Sequence, residues 1–239
     1  MAVEAETGAE SDRSAPRSKL TAEVSRRNLL RITEIFLSLQ GESTRVGLPT
    51  VFVRLTGCPL RCGYCDTAYA FSGGNDMSLE EIVDSVRSHG VEHVCVTGGE
   101  PLAQKGCTTL LKILCDAGLS VSLETSGAVD ISRIDERVSR IVDIKTPGSG
   151  EQRRNRMANL ELLKPADEVK FVICDRNDYE WARALMLKES LSDKCTVLFS
   201  PSHGQVPSAD LAEWLIQDRL RARFQVQLHK VLWGEVAGK

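Results

Sequence analysis

The chain has 239 residues, and no apolar run in it approaches the roughly 18 residues a membrane span needs. Charge of one sign is also lacking: 30 basic side chains against 33 acidic ones leave a net −3, which gives no electrostatic argument for nucleic acid or an anionic membrane as partner. The N-terminus mixes acids and bases without the apolar core of a signal peptide. Nor is a disulfide framework called for. Cys95, Cys107, Cys115, Cys174 and Cys195 are scattered singly through strand-like and helix-like segments, as free buried thiols in a reducing cytoplasm would be. What remains is a cytoplasmic chain of single-domain size, with the 42% hydrophobic content a core needs.

Residues 1–28 carry five acids, five bases and almost no large apolar side chains. They cannot bury enough surface to offset their ordering entropy and read as a disordered N-terminal tail. The folded domain is expected over 29–239. Strand patterns fall at 32–36, 50–55, 93–97, 120–124, 140–145, 168–173 and 196–200, with helical patterns at 79–89, 104–117, 133–138, 151–163, 178–189 and 209–221. Most strands are short continuous apolar runs, as in a parallel sheet covered on both faces. Ser78 with Glu81 makes a capping box, and Ser208 with Asp210 is expected to open the last long helix. Arg153, Arg154 and Arg156, and later Arg219, Arg221 and Arg223, read as solvated helix faces. About six βα units imply an open α/β sheet or an incomplete (β/α)6 TIM-like barrel, and both bind ligands at the carboxyl ends of the strands.

Unusual residues cluster at those ends: Cys58, Cys62 and Cys65 after the strand at 50–55, then TGGEP at 97–101, ETSG at 124–127 and DIKTP at 143–147. Three thiolates satisfy three irons of a [4Fe–4S] cluster and leave the fourth iron open for something that reacts. Structural zinc is the competitor, as the staple of a non-catalytic module. It wants four closed ligands, usually in two pairs. Here the spacing is C-x3-C-x2-C with no second pair, and His89 and His93 lie more than twenty residues on. The two glycines at 98 and 99 would let a backbone approach a ligand closely.

The C-x3-C-x2-C spacing followed by the strand-end GGEP resembles the radical S-adenosylmethionine superfamily. EIFLSLQGE at 34–42, FVRLTGC at 52–58, CDT at 65–67, ETSG at 124–127 and QLHK at 227–230 narrow the likeness to the 7-carboxy-7-deazaguanine synthases of queuosine and 7-deazapurine biosynthesis, over nearly the whole ordered domain. The resemblance implies a radical lyase that contracts the ring of 6-carboxy-5,6,7,8-tetrahydropterin to 7-carboxy-7-deazaguanine with loss of ammonia. It implies a [4Fe–4S] cluster on Cys58, Cys62 and Cys65, and S-adenosylmethionine contacted by Tyr64, Cys65, Asp66, Gly99, Asp143, Ile144 and Lys145. Magnesium would sit on Thr67. The pterin would meet Leu39, Gln40, Gly41, Glu42, Arg54, Thr97 and His229, with Lys170 and Glu124 as an ion pair inside the barrel. It also implies a flavodoxin- or ferredoxin-type electron donor, a homodimer, and a C-terminal segment that closes over the substrate. A glycyl-radical activase shares the cysteine spacing and is the second enzyme reading.

Overall fold

The structure, a computed structural model, describes residues 29–234, 236 and 238. The expected tail at 1–28 lies outside the described residues. Among the described residues nine strands form one sheet: β1 (Leu29–Leu39), β2 (Pro49–Leu55), β3 (Asn75–Ser78), β4 (His93–Gly98), β5 (Ser120–Thr125), β6 (Ser139–Asp143), β7 (Glu168–Ile173), β8 (Thr196–Pro201) and β9 (Arg223–Phe224), in the order β3-β1-β2-β4-β5-β6-β7-β8-β9. From β2 to β9 every pairing is parallel. The sheet is a partial TIM-like barrel, with β3 and β9 as its unpaired ends.

The first expected strand, 32–36, is the middle of a longer one. β1 runs antiparallel to both β2 and β3 and so lies outside the parallel set. The parallel strands are also less uniformly apolar than their composition implied. Val51, Val53 and Leu55, Val94 and Val96, Val121 and Leu123, Val169 and Phe171 point outward into the core. Arg54, Thr97, Glu124, Asp143 and Lys170 occupy the alternate positions and line the barrel interior. The period of two places polar side chains of successive strands on the inner wall.

Four of the expected helices form: α1 (Leu79–Ser88), α2 (Cys107–Asp116), α3 (Arg176–Lys188) and, after the short α4 (Leu191–Lys194), α5 (Ser208–Gln217); a last short helix, α6, spans Leu228–Trp233. The Ser78 hydroxyl accepts from the Glu81 amide at 3.2 Å and the Glu81 carboxylate from the Ser78 amide at 2.7 Å, the full capping box. At α5 the N-cap is Pro207, without a side-chain cap, and Ser208 lies one residue inside.

Two expected helices are absent, for one reason. At 133–138 the Asp130 and Asp135 carboxylates accept from backbone amides two residues on, at 2.8 and 3.0 Å, and turn the chain locally. Over 151–163 only short 3-10 turns form. There the Asn155 carboxamide pairs with both backbone groups of Lys145, and Asn159 donates to the carbonyls of Gly127 and Val129. Side chains that serve neighbouring backbone compete with the helix ladder. Where the β6–β7 helix would sit, buried Asp167 accepts instead from the Arg140 amide and guanidinium, the Lys164 amide and the Lys164 ammonium.

The β1–β2 loop crosses the open seam. Thr44 donates its amide and hydroxyl to Glu168 at the start of β7, and the Ser43 amide donates to Gln225 beyond β9.

Candidate active site

At the carboxyl ends of the parallel strands lies a cavity of about 750 Å³. Cys58, Cys62 and Cys65 share one of its walls, all free and half-buried. Burial pushes the Cys62 thiol up to about 11 against the opposing charge of Lys145, and Cys58 moves the same way. Cys107 and Cys115 are buried along α2, as packing residues would be. Among the described residues no three His, Cys, Asp or Glu side chains are arranged to hold a single ion.

The glycine pair does something the sequence did not disclose. A Cβ on Gly99 would meet the Gly57 carbonyl oxygen at 2.3 Å and Cys58 Cβ at 2.7 Å, and one on Gly98 would meet the Leu55 oxygen at 2.4 Å. The close approach is to the backbone that presents the cysteines. The Glu100 amide donates to the Gly57 carbonyl at 2.8 Å and fixes that contact. Glu100 itself is fully buried and makes no ion pair among the described residues. Its carboxylate accepts from Thr125 Oγ1 at 2.9 Å, from the Ser126 amide at 2.7 Å and from the Ser126 hydroxyl. Glu100, Thr125 and Ser126 thus lock TGGEP to ETSG. Residue patterns marked both segments as unusual, but their carboxylate link joins positions 26 apart in sequence.

A charged seam lines the same cavity. Lys170 Nζ lies 2.6 Å from Glu42 and 3.6 Å from Asp143, and Lys145 Nζ lies 3.0 Å from Asp143. The expected Lys170–Glu124 pair is therefore replaced by Lys170–Glu42. Glu124 accepts instead from Gln40 Nε2 at 3.4 Å and Thr97 Oγ1 at 3.3 Å, and its burial raises its pKa. Burial also works against Lys170, yet Glu42 and Asp143 outweigh it and keep the ammonium charged. Asp143 Oδ1 and the Tyr64 hydroxyl are buried in the cavity wall with no hydrogen-bond partner among the described residues. Polar atoms in that state cost free energy unless a bound group satisfies them. The Lys145 ammonium also lies 5.6 Å from the centre of the Tyr64 ring.

Arg54 is half-buried and donates from Nε to Glu34 at 2.7 Å, with its guanidinium 5.8 Å from the Phe36 ring centre and 5.9 Å from that of Tyr69. Thr67, which lines the cavity, donates its hydroxyl to Asp66 at 2.7 Å, a bond that leaves the oxygen lone pairs unused. Loss of solvent on burial works against the Asp66 carboxylate. Hydrogen bonds from Thr67 and Gln227 and the Lys230 charge overcome it and hold Asp66 well below the usual carboxylate range. Gln227 donates to both Glu42 at 2.8 Å and Asp66 at 3.1 Å, and the Leu228 amide donates to the Gly41 carbonyl. His229 packs against Gly41, where an added Cβ would meet Nδ1 at 2.2 Å, and burial lowers its pKa.

Leu39, Gln40, Gly41, Glu42, Arg54, Thr97 and His229 all line this one cavity, as do Tyr64, Asp66, Thr67, Gly99, Asp143 and Lys145. Ile144 is the exception. It is fully buried in the outer core, because strand alternation turns it away from its neighbours Asp143 and Lys145. At the C-terminus, Gly234, Val236 and Gly238 line the cavity, a placement the sequence left open.

The Radical SAM superfamily matches residues 52–190. The chain is 45% identical over 208 residues to the 7-carboxy-7-deazaguanine synthase of Chlorobaculum tepidum, covering 86% of this chain and 94% of that protein. With the enzyme of the same name from Koribacter versatilis it shares 42% identity over 219 residues, covering 85% and 97%. The chain belongs to the radical SAM superfamily and, within it, to the 7-carboxy-7-deazaguanine synthase family. Its fold is similar to that of QueE from Escherichia coli, with a TM-score of 0.66 at 22% identity, covering 91% of this chain and 100% of that one.

The superfamily implies a [4Fe–4S] cluster and S-adenosylmethionine. The residues fit both. Three soft thiols share one cavity wall, and the orphaned Tyr64 and Asp143 atoms offer polar partners to a ligand beside them.

Proposed function

We propose that this chain carries out the reaction that names its relatives, the formation of 7-carboxy-7-deazaguanine, from 6-carboxy-5,6,7,8-tetrahydropterin with loss of ammonia. The observation that carries this reading is the convergence of a three-thiol loop and a substrate-sized polar pocket on one 750 Å³ cavity. With the cluster and S-adenosylmethionine bound, radical hydrogen abstraction from the pterin becomes available. The protein's part is to bind, orient and exclude water.

Only Nε of Arg54 is engaged by Glu34, so its two Nη groups serve a substrate carboxylate as a planar fork. Gln40 and the buried Glu124 offer donor and acceptor groups to the pterin amide edge. Lys145 and the open oxygen of Asp143 would hold the amino-acid end of S-adenosylmethionine, and Tyr64 would pack against its adenine. Thr67 contributes a hard oxygen to magnesium. One neutral hydroxyl holds the ion weakly, so substrate oxygens complete its shell. The chain works as a homodimer in the cytoplasm, with an acidic one-electron carrier as reductant. Its eight free cysteines accord with a reducing compartment.

The test is anaerobic incubation of iron- and sulfide-reconstituted enzyme with dithionite, S-adenosylmethionine, magnesium and the carboxypterin. The 7-carboxy-7-deazaguanine product is expected with wild type and absent with Cys62→Ala. Omitting magnesium should raise the apparent substrate KM if Thr67 holds it. Cleavage of S-adenosylmethionine without any deazapurine would instead favour an activase acting on a protein.

A further inference from the structure

The two arginine clusters, alike in sequence, fall on opposite rims of the barrel. Arg219 precedes β9 and so lies at the amino end of the parallel strands, where it faces neither the cavity nor the cysteines. Arg153 and Arg154 follow β6 and lie at the carboxyl end, in a short 3-10 turn rather than on a helix. Hydrogen bonds pin that turn to the cysteine loop. The Gly63 amide donates to the Ser149 carbonyl at 3.0 Å, and the Arg61 amide donates to Glu151 Oε1 at 2.6 Å. Glu151, the acid at the junction, is thereby turned inward onto the loop.

The loop has two faces. Cys58, Leu60, Cys62 and Tyr64 line the cavity, whereas Arg61, Arg153 and Arg154 do not and are exposed. The Arg61 guanidinium caps the carbonyls of Cys58 and Leu60 at 2.8 and 2.6 Å and lies 4.2 Å from the Phe71 ring centre, so its charge is held in place, although Arg61 itself is not part of the cavity lining. Arg153 and Arg154 make no ion pair among the described residues, while Arg156 leans on Asp130 at 3.4 Å. In a chain of net charge −3 this is a local positive patch, built onto the outside of the loop whose inside holds the thiols.

We propose that Arg61, Arg153 and Arg154 form the docking surface for an acidic one-electron carrier protein. The inference rests on the radical reading above, because such a cluster must receive one electron per reductive event. The reduced carrier loses that electron and the cluster gains it; no bond is made or broken between the two proteins. A patch on the outer flank brings an anionic carrier within a loop's thickness of the cysteines and leaves the substrate mouth open. Surface charge of this kind acts mainly on the encounter rate and is screened by salt.

The test uses the reconstituted full chain and follows bleaching of the cluster absorbance by stopped flow, first with reduced flavodoxin, an acidic flavin protein, and then with dithionite. In Arg153→Glu/Arg154→Glu the flavodoxin rate should fall about tenfold at low salt and lose most of its salt dependence. The dithionite rate should be unchanged. Arg153→Lys/Arg154→Lys should keep the wild-type rate, as should Arg219→Glu on the far rim. A flavodoxin rate within about twofold of wild type in the double reversal would overturn the proposal. So would an equal loss with dithionite, which would mark a disturbed cluster rather than a lost dock. If the reversal abolishes RNA binding while flavodoxin reduction persists, the patch belongs to a nucleic acid instead. Absence of any bleachable chromophore in wild type would strike the radical reading itself.

Discussion

Gly99 shows how little room the cysteine loop leaves. Its φ is not in the left-handed region, so the demand for glycine is purely one of space, set by the Gly57 oxygen and Cys58 Cβ. Backbone cannot yield as a flexible side chain does, and overpacking of this kind costs about 1–3 kcal/mol. Gly99→Ala should therefore lower stability by that amount in urea and, by displacing Cys58, reduce iron bound per chain. Retention of full iron content would show that the loop adapts. The same neighbourhood hides Glu100, whose carboxylate accepts from the Leu102 amide of its own turn as well as from Thr125 and Ser126. A motif reads Glu-Pro as a turn and gives no sign that the carboxylate ties the turn to Thr125 and Ser126.

Among the elements, the β6–β7 connection is held by a charge rather than a helix. Asp167 is buried against Arg140 and Lys164, and although burial opposes its ionisation, their hydrogen bonds and charge lower its pKa below the ordinary 3.8. Removing the acid strands a buried guanidinium. Asp167→Ala should cost about 3–5 kcal/mol in chemical denaturation, against about 1 kcal/mol for the exposed cap change Ser78→Ala. Because the folded-state pKa is depressed, the contribution of Asp167 is complete above pH 3.8 and is lost only as pH falls through its lower folded value. The acid limb of the wild-type stability curve should therefore be shallower in the variant. The elements also show where pattern succeeded. α1 was readable because Ser78, Glu81 and an apolar stripe all act within one helix. The segment 151–163 was misread because the fate of Asn155 and Asn159 depends on Lys145, just past the end of β6, and on Gly127 and Val129, which the β5–β6 connection brings alongside.

Across the whole molecule, the open barrel is drawn together by its two ends. The β1–β2 loop reaches β7 through Thr44–Glu168 and Glu42–Lys170, and α6 returns to that loop through Gln227 and the Leu228 amide. A chain truncated after Gln225 keeps the parallel sheet and the cysteine loop but loses this strap and the cavity-lining residues beyond it. It should bind iron at the wild-type level, while the carboxypterin KM rises at least about tenfold, the loss of one charged or bidentate contact. A truncated chain with unchanged KM would remove α6 and its tail from the substrate site.

The amino-acid sequence by itself determined the chemistry at the cysteines, the parallel βα order and the rim on which unusual residues gather, because each depends on spacing within a few residues of one strand end. Only the tertiary structure decided which polar group meets which. It paired Lys170 with Glu42 rather than Glu124, turned Ile144 away from the cavity, and set Arg153 and Arg154 against the cysteine loop. Those outcomes depend on strand alternation and on contacts between residues up to 185 positions apart, distances over which no local pattern carries information.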